Sequence, residues 1–85
     1  MPTKSVVVGS AVGLHARPAA IISEAAGELD SEVTIGVPGG DAVDASSALL
    51  IMTLGAGKGA TVEVSGDDAA DVDAIAALVE KDLDA

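Results

Sequence analysis

The chain has 85 residues, and we expect residues 1–85 to form one domain with a modest hydrophobic core. Fourteen acidic residues against four basic ones give a formal net charge of −10, which disfavours binding to nucleic acids or to anionic membranes. The absence of cysteine and of aromatic residues excludes disulfides, thiolate chemistry and base stacking. Since the start of the chain lacks a signal-peptide pattern and no stretch could span a bilayer, we expect a soluble, cytoplasmic protein. We also expect a monomer.

The first two elements are predicted to be a strand and a helix. Residues 5–9 contain three consecutive valines, and a short β-branched run of this kind predicts a strand. Residues 18–29 predict a helix, because apolar side chains recur at helical spacing. Pro18 fits only in the first turn, where its missing N–H leaves no hydrogen bond unmade. The helix is therefore expected to begin at about Ala16, with His15 at its N-cap.

A hairpin and a short helix follow. The apolar residues Val33, Ile35 and Val37 alternate with Thr34 and Gly36, which predicts a half-buried strand. The turn sequence PGGD at residues 38–41 leads into a short returning strand at 42–43. Residues 44–55 begin with capping residues and end in glycine, as a short helix does.

The last part of the chain predicts a loop, a strand and a final helix. The loop GAGKG, residues 55–59, is not a nucleotide-binding loop, since glycine follows its lysine where that motif needs serine or threonine. We interpret it as a structural connection. Residues 61–65 predict a strand with Val62 and Val64 inward. Acidic residues after Gly66 suit a helix start, and the apolar stripe of Val72, Ile75, Ala76 and Val79 predicts a helix that ends near residue 83.

The element order β-α-β-β-α-β-α predicts an α+β fold of two layers. We expect three helices on one face of a four-stranded antiparallel sheet, with the other face exposed to solvent. This arrangement buries the apolar residues of the strands and helices in a single core between two layers. Polar residues at the expected outer positions of the strands agree with this arrangement. These residues are Thr34, Thr61, Glu63 and Ser65.

The stretch GLHARPAA, residues 13–20, contains the only histidine and the only arginine of the chain. A helix start offers unpaired N–H groups and the positive end of the helix dipole, so it attracts anions. His15 at the cap would lie beside the amides of Ala16 and Arg17, and the planar fork of Arg17 suits phosphate oxygens. We expect the positive helix start to keep His15 neutral and nucleophilic. Together these features predict a phosphohistidine site.

Other interpretations of this pair are a histidine that only caps a helix, with Arg17 as a solvated surface charge, and a metal or hydrolase site. A metal site is disfavoured by the single histidine and the absence of cysteine. A hydrolase would need partner residues that the sequence does not place. We expect no metal and no organic cofactor.

GLHARPAA and the later stretch DASSALLIMTLGAGKGATVEVS resemble the HPr family, the histidine-containing phosphocarriers of the bacterial phosphotransferase system. The resemblance covers the whole chain. It implies an open-faced β-sandwich with sheet order 1-4-2-3. It also implies that His15 accepts phosphate on Nδ1 from enzyme I, which phosphoenolpyruvate charges, and passes it to IIA components of sugar permeases. Arg17 would stabilise the transfer.

By this resemblance, the chain is a covalently modified carrier and not an enzyme that turns over substrate alone, although such carriers are classed with transferases. The alternative is a regulatory module of the same fold, in a nitrogen-related branch, that signals by its phosphorylation state. Incubation with phosphoenolpyruvate and enzyme I is the experiment that most directly tests the carrier interpretation.

The resemblance also implies a regulatory serine, Ser47, at the start of the short helix, where a serine kinase would act. Relatives often carry a basic residue just before this serine, whereas this chain has Ser46. We therefore interpret Ser47 as a helix cap first and as a regulatory site second.

The short helix is apolar on all sides, so one of its faces is either covered by the loop after Gly55 or exposed for a partner. The resemblance favours docking of partners on this helix. We assign partner docking to Leu14, Ala20, Leu49, Leu50, Met52 and Thr53.

Overall fold

The computed structural model describes residues 2–10, 13–14 and 16–81, and these form four strands and three helices. The order β-α-β-β-α-β-α is the predicted one. In chain order the elements are β1 (Thr3–Val7), α1 (Ala16–Gly27), β2 (Val33–Gly36), β3 (Val43–Asp44), α2 (Ala48–Thr53), β4 (Thr61–Gly66) and α3 (Ala69–Glu80).

The four strands form one antiparallel sheet in the order β1-β4-β2-β3, which confirms the predicted topology. Its register places Val6 opposite Val62, and Ile35 opposite Val64. All four of these side chains are buried, because alternate residues of each strand point toward the helices. Val62 and Val64 therefore face inward as predicted.

The core lies between the sheet and the helices. α1 and α3 each bury one stripe of apolar residues, while the short α2 buries only Ile51. In α3 the buried stripe is the predicted one. The largest fully buried side chains of the described residues are Ile22, Ile35, Ile51, Ile75, Val8, Val62, Val64, Val72, Val79, Pro18 and Ser10.

Two element boundaries differ from the prediction because of contacts between distant parts of the chain. β1 begins and ends two residues earlier than expected, since Thr3 pairs with Ser65 and their hydroxyls share a hydrogen bond of 3.0 Å. At the other end, the Gly9 N–H donates to the Val79 carbonyl of α3. The predicted helix at 18–29 instead ends at Gly27, a residue that favours helix termination. The predicted end of α3 near residue 83 lies outside the described residues.

The starts of α2 and α3 are capped by side chains. Ser47 has an extended backbone, and its hydroxyl accepts a hydrogen bond of 3.3 Å from the Leu50 N–H. The Asp68 carboxylate accepts one of 2.9 Å from the Ala70 N–H. This confirms Ser47 as the N-cap of α2, an interaction whose loss costs about 1 kcal/mol.

Within the part of the chain that the structure describes, no helix is both long and apolar enough to cross a lipid bilayer.

Candidate functional site

The start of α1 lies directly after the sequence position of His15 and provides the first two backbone N–H groups of the helix. Ala16 and Arg17 are the first two residues of α1, and both are exposed. The third residue, Pro18, is buried and has no N–H to offer. The first amides of a helix have no intrahelical acceptor, and those of Ala16 and Arg17 donate to no backbone carbonyl of the described residues, so they suit the binding of an anion. His15 itself lies outside the described residues, so its place as the N-cap stays a prediction.

Arg17 is exposed, and its guanidinium forms no ion pair with any described residue. Among those residues, the ion pair that does form joins Lys4 Nζ to Asp73 Oδ1 at 3.8 Å. The planar guanidinium of Arg17 therefore offers several N–H donors that are in no ion pair with the described residues. Its backbone N–H lies at the positive end of the helix dipole. This arrangement suits the binding of phosphate oxygens.

The residues before His15 are fixed by backbone contacts. The Gly13 N–H donates to the Ser10 carbonyl at 3.0 Å, and the Leu14 N–H donates to the Ala56 carbonyl at 2.8 Å. The Leu14 side chain is only 3% exposed and packs in the core. A side chain buried in this way cannot contact a partner, so the prediction that Leu14 belongs to the docking surface is wrong.

Gly13 allows the loop at residues 55–59 to approach the site closely. Its φ of +80° is a left-handed conformation that glycine adopts without strain. A Cβ atom at this position would lie 2.5 Å from the Ala56 oxygen and 2.7 Å from the Gly57 Cα. Sequence reasoning did not find this contact, although glycines in both segments were a signal that two backbones approach each other there.

α2 buries one residue, Ile51, and exposes its large apolar residues on its other sides. Leu49 is 68% exposed, Leu50 40% and Met52 36%. These exposures exclude the alternative that the loop after Gly55 covers this part of the helix. Thr53 is also exposed, and its hydroxyl donates to the Leu50 carbonyl at 2.6 Å. Ala20 is exposed on α1, the helix that packs against α2.

The two adjacent serines before α2 have different partners. The hydroxyl and the backbone N–H of Ser46 both donate to Asp44 Oδ1, at 2.7 and 2.9 Å. These two hydrogen bonds, from the hydroxyl first and then from the N–H, lower the pKa of the Asp44 carboxyl below its ordinary value of 3.8. Ser46 is therefore engaged with Asp44, and Ser47 supplies the cap of α2.

Among the described residues, no three side chains of the metal-ligating types His, Cys, Asp or Glu come together.

Comparisons with known proteins identify the family of this chain and agree with its fold. The family model described as "PTS HPr component phosphorylation site" matches residues 2–81. The phosphocarrier protein HPr of Pseudomonas putida is 38% identical over 80 residues, which cover 94% of this chain and 89% of that protein. The chain therefore belongs to the HPr family of phosphocarrier proteins of the bacterial phosphotransferase system.

Solved structures of this family have the same architecture. The crystal structure of phosphocarrier protein HPr from Bacillus anthracis has a TM-score of 0.84 at 31% identity, covering 92% of this chain and 95% of that one. HPr-C-His from Thermoanaerobacter tengcongensis has a TM-score of 0.87 at 28% identity, covering 100% and 98%. The open-faced β-sandwich predicted from the sequence is thereby confirmed.

Proposed function

We propose that this chain accepts a phosphoryl group on His15 from phospho-enzyme I and passes it to the IIA components of sugar permeases. The observation that carries the proposal is the exposed start of α1, where the first two N–H groups of the helix belong to the two residues that follow His15. Membership of a phosphocarrier family supports the same chemistry. Enzyme I and the IIA components are the donor and acceptors that the resemblance implies.

The transfer needs a neutral imidazole. The lone pair of His15 Nδ1 attacks the phosphorus and forms a P–N bond, while the bond between phosphorus and the donor atom breaks and its electron pair stays with the donor. The proton on the other ring nitrogen remains in place. In the second half of the cycle the P–N bond breaks and the phosphoryl group moves to the acceptor, which regenerates neutral His15.

The α1 start would stabilise the charge that this reaction brings to the chain. Donors that are already oriented toward a developing negative charge need no reorganisation during the reaction. The amides of Ala16 and Arg17 and the Arg17 guanidinium are donors of this kind, and Pro18 helps by fixing the backbone of the first turn. Arg17 adds a full positive charge to the partial charge of the helix dipole.

The exposed apolar surface of α2 is proposed to dock the partners. Leu49, Leu50 and Met52 present this surface on α2. Thr53 follows on the same helix, and Ala20 is exposed on α1, which packs against α2. Methionine adapts to surfaces of different shape, which suits a carrier that binds a donor and several acceptors in turn. Ser47 caps this helix, and regulation by phosphorylation of Ser47 remains a secondary proposal.

The proposal is tested by incubating the chain with phosphoenolpyruvate and enzyme I and measuring its intact mass. We expect the mass of one phosphoryl group to be added to the wild-type chain and none to His15→Ala. The modification should be labile in acid and stable in base, unlike a serine ester. Phosphorylation of His15→Ala at the wild-type rate would contradict the proposal. Adding a IIA component should then remove the phosphoryl group from the wild-type chain.

A further inference from the structure

The acidic residues of this chain are confined to two regions of the sequence. All of its aspartates and glutamates lie at residues 24–44 and 63–84, so residues 1–23 and 45–62 contain none. The carboxylate-free segments include α2, the first half of α1 and the loop at 55–59. Three of the four cations, Lys4, Arg17 and Lys58, belong to these segments.

The carboxylate-free segments meet in the fold beside the start of α1. The Ala56 carbonyl accepts the Leu14 N–H at 2.8 Å, and the Gly59 N–H donates to the Val8 carbonyl at 3.0 Å. Gly57 lies so close to Gly13 that a Cβ atom added to Gly13 would overlap the Gly57 Cα. These contacts on both sides of Lys58 place its backbone beside the residues that lead into the proposed phosphoryl site.

Of the three lysines, Lys58 has the fewest carboxylates near it to balance its charge. Its side chain is exposed and pairs with no carboxylate of the described residues. Lys4, in contrast, is paired with Asp73. Lys81 also approaches the segment before the site, since its carbonyl accepts the Ser10 hydroxyl at 3.4 Å, but its sequence neighbours are Glu80 and Asp82.

We propose that Lys58 is a second cation of the phosphoryl site, which attracts the phosphate of the incoming donor and supports Arg17 in holding it. This inference rests on the proposed function of His15. A chain with a net charge of −10 repels an anionic donor as a whole, so approach depends on a locally positive region. Charges separated by less than a Debye length, about 8 Å at physiological salt, remain effective. Because Gly57 and Gly59 flank Lys58, little bulk separates its ammonium from an approaching anion.

The test compares Lys58→Gln, Lys58→Arg and Lys4→Gln with the wild-type chain. The second-order rate constant for phosphoryl acceptance from phospho-enzyme I is measured at low and at high salt. At low salt we expect Lys58→Gln to be about two- to fivefold slower, and this difference should shrink at high salt. Lys58→Arg keeps the charge and should retain the wild-type rate. Lys4→Gln removes the same charge at the far end of β1 and should react at close to the wild-type rate.

A second measurement does not depend on phosphoryl transfer. Titration with inorganic phosphate, followed by the amide signals of Ala16 and Arg17, should show weaker binding to Lys58→Gln than to Lys4→Gln. Equal rates and equal phosphate affinities for these two variants would overturn the role of Lys58 and leave the proposed function intact. If enzyme I does not phosphorylate the wild-type chain, the proposed function fails, and the phosphate titration then decides on Lys58.

Discussion

Arg17 can stabilise a phosphoryl group in two ways, by its charge and by its planar fork of N–H donors. Arg17→Lys keeps the charge and loses the fork, whereas Arg17→Ala loses both. We therefore expect the rate of phosphoryl transfer to fall in the order wild type, Arg17→Lys, Arg17→Ala, with a loss of about tenfold or more in the last. The rate constants are measured with the same enzyme I preparation.

Lys4→Ala is the control for Arg17, because it also removes one positive charge but lies at the far end of β1, paired with Asp73. It should leave the transfer rate within about twofold of wild type, as expected for an exposed ion pair. Unchanged rates in both Arg17 variants would show that Arg17 is a solvated charge, which is the alternative that the sequence left open.

Single residues show where sequence reasoning reaches its limit. Ser46 and Ser47 have the same capping chemistry, and only the contact of Ser46 with Asp44 shows why Ser47 is the cap. Leu14 is similar, since an apolar residue next to a functional histidine can face either the core or a partner. Its backbone hydrogen bond to Ala56, a contact between distant residues, fixes it in the core.

At the scale of elements, α2 is the clearest case of a helix that presents more apolar surface than the fold can bury. Leu49→Glu would place a charge in the centre of the proposed docking surface. Since Leu49 is 68% exposed, the free energy of unfolding should change by less than about 0.5 kcal/mol. Binding to enzyme I, measured by calorimetry, should weaken by about tenfold or more.

Val7→Glu is a matched control for Leu49→Glu. Val7 is also a large apolar residue, 53% exposed, but it lies on β1 in the other layer of the fold. The same change of charge there should leave enzyme I binding close to wild type. Equal losses in the two variants would indicate a general effect of negative charge, and unfolding of Leu49→Glu would show that Leu49 is part of the core.

The type and order of the elements could be predicted because each has a local signal in the sequence. Alternation placed Val62 and Val64 inward, and helical spacing found the buried stripe of α3. The ends of β1 could not be predicted in this way. Thr3 has no strong strand signal of its own and joins the sheet through its pairing with Ser65, 62 positions away. Pairing between distant residues overrides local propensity at such an edge strand.

At the scale of the whole molecule, the segment that leads to His15 is held by two distant parts of the chain. Gly9 donates to Val79 at the end of α3, and a Cβ at Gly9 would overlap the Glu80 carbonyl. Leu14 donates to Ala56 in the loop after α2. The start of α1 is thus positioned by the fold as a whole, and a local sequence pattern cannot show this.

Two glycines with nearly the same φ allow this positioning to be tested. Gly13 has a φ of +80° and Gly39 one of +81°, so at both positions alanine is strained, by about 1–2 kcal/mol. They differ in their surroundings, because a Cβ at Gly13 would lie 2.5 Å from the Ala56 oxygen, whereas one at Gly39 would meet no atom within 4 Å. Gly39 also lies in the turn between β2 and β3, with β3 at the opposite edge of the sheet from β1.

We expect Gly13→Ala to lose about 1–3 kcal/mol more of the free energy of unfolding than Gly39→Ala, because the added Cβ pushes the two loops apart. Urea titration of both variants measures this difference. Gly13→Ala should also accept phosphate more slowly from phospho-enzyme I under conditions in which both variants are folded, since Leu14 and the start of α1 are displaced. Gly39→Ala should accept it at the wild-type rate. Equal losses of stability and equal transfer rates in the two variants would show that the contact between Gly13 and the loop at 55–59 does not position the site.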